Sequence, residues 1–162
     1  MKRRISLFLC AVLLLSLFAC SSNSKQDSDD DSADQTWESE ENDTDVLQIR
    51  VEGASGQNVV FQLNDSSAAK ALYEQLPLSI QVENYSNNEK IFYPPEELDT
   101  SDAPPAEGPS GTLAYYAPWG DVVLFYGECG GASGLYELGE AVSGADQIET
   151  LSGVIQVSKV AA

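Results

Sequence analysis

The chain contains no histidine. That removes the commonest general base, the usual zinc ligand and every histidine-dependent triad at once. A thiol, scattered carboxyls and aromatic rings are left to do chemistry. Cys129 is the one cysteine beyond the N-terminal segment. It has no cationic neighbour to stabilise a thiolate, so it reads as a buried thiol and not as a nucleophile. The glycines around it, in Gly127-Glu128-Cys129-Gly130-Gly131, invite comparison with a phosphate loop. No Lys or Arg lies near and Glu128 would repel an anion, so they read as tight backbone turns. Glu96, Glu97, Asp99, Asp102 and Glu107 form an acidic run without the alternating spacing and turn glycine of a calcium loop. No metal and no cofactor is expected. The remaining candidates are aromatic. Tyr115, Tyr116 and Trp119 fall close together, with Tyr126, Glu128 and Tyr136 after them and Phe92 and Tyr93 before. Rings with a polar tip line peptide and small-molecule pockets, and they also fill cores; the sequence leaves both roles open for this set.

These residues need strands to hold them. Val122 to Tyr126 is apolar without alternation, which predicts a strand covered on both faces. Pro118, Gly120 and Asp121 reverse the chain just before it, Asp121 by bonding its local backbone. Leu47, Ile49 and Val51 alternate with polar residues, as do Val59, Phe61 and Leu63, and Gly53 to Gly56 join them as a hairpin. Asp65 or Ser66 suits the cap of a helix with Ala68, Leu72 and Leu76 on one face, stopped by Pro77. A second hairpin follows, with Ile80 and Val82 inward, a turn at Asn87-Asn88, and Ile91 to Tyr93 returning. Residues 94–111 carry five prolines and cannot pair as a central strand. Such a stretch either shapes a site or is a surface excursion. Ser143 is placed to cap a short helix from about Ala145 to Leu151, and Val154 to Val160 reads as the closing strand.

The run YYAPWGDVVLFYG, followed by GLYELGEAVSG and a short terminal strand, resembles the bacterial cyclophilin-like family from about Val46 to Val160. The resemblance implies a mainly β fold: a closed, antiparallel cyclophilin-like β-barrel with one or two short capping helices. It also raises prolyl isomerase activity. The cyclophilin pattern implies a Phe-His-Arg strand, and the comparable strands here, SIQVENY and KIFY, hold neither Arg nor His. Arg50, the only arginine after the N-terminal segment, falls on the solvent parity of its strand. Without an electrophile beside the amide nitrogen, isomerisation is expected to be weak or absent.

At 162 residues with a net charge of −18, the chain suits one acidic domain. Four scattered basic residues from Val46 onward exclude nucleic acid and adsorption through a basic face. Residues 1–19 read as an export signal, with Lys2, Arg3 and Arg4 before an apolar core. Leu17-Phe18-Ala19-Cys20 resembles a lipobox, which implies lipidation at Cys20 and attachment to a bacterial membrane. Residues 20–45 read as a disordered acidic tether with a reach of roughly 25 to 30 Å, and 46–162 as the folded domain. The expectation is a membrane-anchored, non-catalytic module that binds a peptide, a small molecule or an envelope protein, with weak prolyl isomerase activity as the alternative.

Overall fold

The computed structural model describes residues 46–161; the export signal, Cys20 and the tether lie outside them. The predicted hairpins form. Strand β1 (Gln48–Glu52) pairs antiparallel with β2 (Asn58–Leu63), Ile49 opposite Phe61 and Val51 opposite Val59. All four are completely buried, as their spacing of two requires. Helix α1 (Ser67–Glu74) follows, capped by Ser66, whose Oγ accepts the Ala69 N–H at 3.2 Å. It buries Ala68, Ala69 and Leu72 in the barrel core and ends ahead of Pro77. Strands β3 (Leu78–Tyr85) and β4 (Glu89–Phe92) make the second hairpin through a turn at 86–88.

Strands β5 (Thr112–Tyr116), β6 (Asp121–Phe125), β7 (Leu135–Ser143) and β8 (Gly153–Lys159) complete a closed ring in the order β1-β2-β7-β5-β6-β4-β3-β8. Closure leaves no edge strand on the ring. One detail differs from the sequence expectation. Ser143 ends β7 and caps nothing; Gly144, at φ 74°, opens a 3-10 helix over Ala145–Thr150. The glycine takes the left-handed conformation that leads β7 into the helix. Strand β7 lies between β5 and β2 in the ring. There Gly139 comes so close to the Gln62 carbonyl of β2 that a Cβ would collide with it.

Strand β6 is buried at all five positions because it serves two cores. Val122 and Leu124 point into the barrel with Phe92, Leu113, Tyr115 and Ile155. Val123 and Phe125 point outward, into a smaller cluster with Ile91, Ala114, Leu135, Ala106 and Cys129. The outer cover comes from the two irregular segments. Gly108 and Cys129 exchange backbone hydrogen bonds of 3.1 and 2.8 Å, and the Ala106 N–H reaches the Leu135 carbonyl at 3.0 Å. The proline-rich stretch also reaches inward, where Leu98 joins the barrel core and its N–H donates to the Tyr115 hydroxyl at 3.3 Å. Asp102 accepts the N–H and the hydroxyl of Ser67, both at 2.9 Å. Those bonds hold its carboxyl below the ordinary range, so this acid serves the start of α1.

Candidate functional site

On the outer wall of the barrel, beside the second core, lies a pocket of about 210 Å³. Its floor follows from strand parity. Ile91 and Val123 pair directly across β4 and β6, and both face outward. Two residues along each strand from that pair, in opposite directions, stand Glu89 on β4 and Asp121 on β6. A carboxyl therefore stands at each end of an apolar floor. Leu135 of β7 and Ala132 of the glycine-rich loop supply further apolar lining.

Three rings stand around this floor. Tyr116 ends β5, Tyr85 ends β3, and Trp119 occupies the turn between β5 and β6. That turn is fixed by Trp119 and Gly120 N–H groups that both donate to the Tyr116 carbonyl, at 3.2 and 2.9 Å, and by Gly120 at φ 73°. Trp119 meets both tyrosines edge-on, with centroids 5.3 Å from Tyr85 and 5.4 Å from Tyr116 and planes at 86° and 82°. Such edge-to-face contacts set the two tyrosine rings at right angles to Trp119. Trp119 is 51 % exposed, so the group most able to grip a ligand is already at the surface.

Asp121 is the unusual residue. It is 2 % exposed, and its Oδ1 has no hydrogen-bond partner. Burial pushes its carboxyl above the ordinary range, partly offset by its own backbone N–H. Burial does the same to Glu89, and the charge on Asp121 adds to the shift. No lining residue is basic. Lys90, between Glu89 and Ile91, points to the other side of β4, with its Nζ 5.7 Å from the Tyr126 ring centroid. A buried acceptor without a partner costs about 1–3 kcal/mol, a cost that no group among the described residues relieves.

The aromatic set singled out in the sequence is divided by the same parity. Tyr116 and Trp119 line the pocket. Tyr115, which neighbours Tyr116 on β5, and Phe92, which neighbours Ile91 on β4, point the other way and are buried in the barrel core. Tyr126 packs against that core and donates its hydroxyl to Asn84 at 3.1 Å. Tyr93 is half exposed, outside the pocket. Tyr136 pairs with Tyr115 and bridges to Pro105. Glu128 is exposed and lines a separate, shallow concavity with Glu107 and Cys129. Burial raises the Cys129 thiol pKa, which suppresses its thiolate. Sequence reasoning passed over Tyr85 and Glu89, and it read Asp121 as a turn residue when it is the first residue of β6. Among the described residues no group of three His, Cys, Asp or Glu is arranged to hold a metal ion.

An eight-strand closed barrel with its topology and its Pro-Trp-Gly-Asp turn can be set against known proteins. The Cyclophilin-like family matches residues 53–159. The chain belongs to that family. Among solved structures, this cyclophilin-like barrel is similar to the solution structure of the hypothetical protein AF2241 from Archaeoglobus fulgidus. The two share 17 % identity with a TM-score of 0.57, over 71 % of this chain and 95 % of that one. The likeness supports the fold alone. No curated protein matches the chain. The prolyl isomerase question can be put to the geometry. Arg50 lies on β1, which the ring order separates from β6 by three strands in either direction. It therefore stands across the barrel from the pocket, too far to act as the electrophile at that site.

Proposed function

We propose that this cyclophilin-like domain is an exported, lipid-anchored binding module whose ligand occupies the pocket around Trp119. The observation that carries the reading is the site itself: three rings and an unpartnered buried carboxyl around an apolar floor, with no thiol or cation in the lining. Such a set recognises a ligand by shape and charge. It lacks the cationic donor that the cyclophilin pattern places beside a twisting prolyl bond, because its charged groups, one at each end of the floor, are carboxyls. The anchoring half of the proposal rests on Leu17-Phe18-Ala19-Cys20 and the polar residues after it.

Two experiments test the reading. A protease-coupled prolyl peptide assay, run at high domain concentration beside a panel of ester, peptide and glycoside substrates, is expected to show no acceleration. Turnover that survives repurification and vanishes in Trp119→Ala would replace the binding module with an enzyme. For the anchor, Cys20→Ala is expected to move the protein from the membrane fraction to the soluble one. Unchanged partition would remove the lipid from the proposal.

A further inference from the structure

If the pocket is a binding site, as proposed above, its chemistry names the class of ligand. We infer that it takes an organic cation, an ammonium or guanidinium group on a short alkyl stem, its head group at Asp121 beside Trp119, Tyr85 and Tyr116 and its stem along the floor toward Glu89. Three independent features converge on this. First, Asp121 lines the pocket with a buried side chain whose Oδ1 has no partner among the described residues, so a charged donor seated there would supply the missing hydrogen bond. Second, three aromatic rings line the pocket, Tyr85 and Tyr116 each nearly perpendicular to Trp119, and a cation is attracted to the electron-rich faces of such rings. Third, the floor of Ile91 and Val123 is apolar, which a bare metal ion would leave unused and an alkyl stem would cover. Size agrees with this class. The volume of about 210 Å³ exceeds the roughly 150 Å³ of a cavity that holds benzene, so a head group with three or four carbons fits.

The charge balance argues against an anion and against a neutral apolar ligand. An anion would meet two carboxyls and no basic group in the lining. A neutral apolar ligand would fill the floor but leave Asp121 as poorly satisfied as before. A cation seated at Asp121 relieves the burial penalty on that acid. The net charge of −18 adds long-range attraction, but that acts over the whole surface and is largely screened at physiological salt. Selectivity must therefore come from the pocket. The cation can be a free small molecule or the Lys or Arg side chain of a partner peptide, since both present the same head and stem.

The test is an amide and indole NMR titration of the mature chain from residue 20 onward, with Cys20→Ser, at physiological salt. The probes are n-butylammonium, n-butylguanidinium and acetyl-Gly-Lys-Gly-amide, with n-butanol and butyrate as neutral and anionic matches. The cations are expected to shift the Trp119 indole and the amides of Tyr85, Glu89 and Asp121. They should bind at least about tenfold more tightly than n-butanol, the ratio expected of a charge-assisted hydrogen bond. Asp121→Asn should weaken cation binding roughly tenfold or more and leave n-butanol unchanged. Trp119→Ala, at an exposed position that does not endanger folding, should weaken the cations several-fold. Tighter binding of the peptide assigns the cation to a partner's side chain, and equal binding assigns it to a small molecule; both support the inference. It is overturned if n-butanol binds the pocket as tightly as the cations, in which case the binding module stands with an apolar ligand. It is also overturned if Asp121→Asn binds cations like the native chain, or if calcium shifts these residues and the organic cations do not. Turnover in the isomerase and hydrolase assays would instead remove the binding-module reading itself.

Discussion

Asp121→Asn should make the protein more stable, and the gain should depend on pH. The native carboxylate is buried with one oxygen unpaired, and its pKa is raised by that burial. A group whose folded pKa lies above its unfolded one is bound to its proton more tightly in the folded state. Its contribution to stability is fully present below the unfolded pKa, near about 3.9 for an aspartate, and is lost as pH rises through the folded value. At pH 7 the folded protein thus carries the cost of a desolvated charge. Asparagine removes the charge at constant volume but keeps a polar oxygen in the same place. Of the roughly 1–3 kcal/mol that an unsatisfied buried polar group costs, about 1 kcal/mol should be recovered. For a domain of about this length that corresponds to a rise in Tm of roughly 4 °C. Urea unfolding of both proteins at pH 7 and in steps down to pH 4 reads the effect. The asparagine variant should be ahead at pH 7, and the two curves should converge as the native carboxyl takes up its proton. An asparagine variant no more stable at neutral pH, or a gain that stays constant with pH, would refute the account of Asp121 as a strained, ionised group. The combination of higher stability with lost cation binding is what a site held ready for a ligand requires.

Three further outcomes follow from the packing. Gly139→Ala places a methyl group against the Gln62 carbonyl and the Leu63 Cα at φ 157°, so β2 and β7 must separate; a loss of about 3 kcal/mol or failure to fold is expected by circular dichroism. Leu124→Ala empties a site at 0 % exposure in the barrel and should cost about 3–4 kcal/mol in urea unfolding without displacing the pocket lining. Ser66→Ala removes the α1 cap and the bond from its hydroxyl to Asn64 at 2.6 Å, for a loss of about 1 kcal/mol that Ser66→Thr should largely restore.

The barrel was legible because its strands carry local signals. Alternation marked β1 and β2, and an uninterrupted apolar run marked β6 as covered on both faces before either cover was known. The start of the final helix was not legible, since Gly144 leads into it through a left-handed backbone and Ser143 is spent in β7. The pocket was half legible. Trp119 announced itself as a large ring in a turn. Adjacent residues on a strand face opposite ways, so Tyr115 and Tyr116 could never share one site, nor Phe92 and Ile91, and that parity was available from the sequence. Tyr85, Glu89 and Asp121 were not recoverable in the same way. Their meeting depends on the register of β4 against β6 and on the turn joining β3 to β4, which are set by packing between distant segments. Taken singly, each looks like an ordinary polar-tipped residue at a strand end.

The ring order has a mechanical consequence. Residue 46 leads directly into β1, and β1 sits diametrically opposite β6. A pull applied from the N-terminal side loads the ladders of β1 with β2 and β8 first. The wall bearing Trp119 and Asp121 is three strands away on either hand, so the domain can be held by that lead while presenting the opposite wall, undistorted, to whatever approaches.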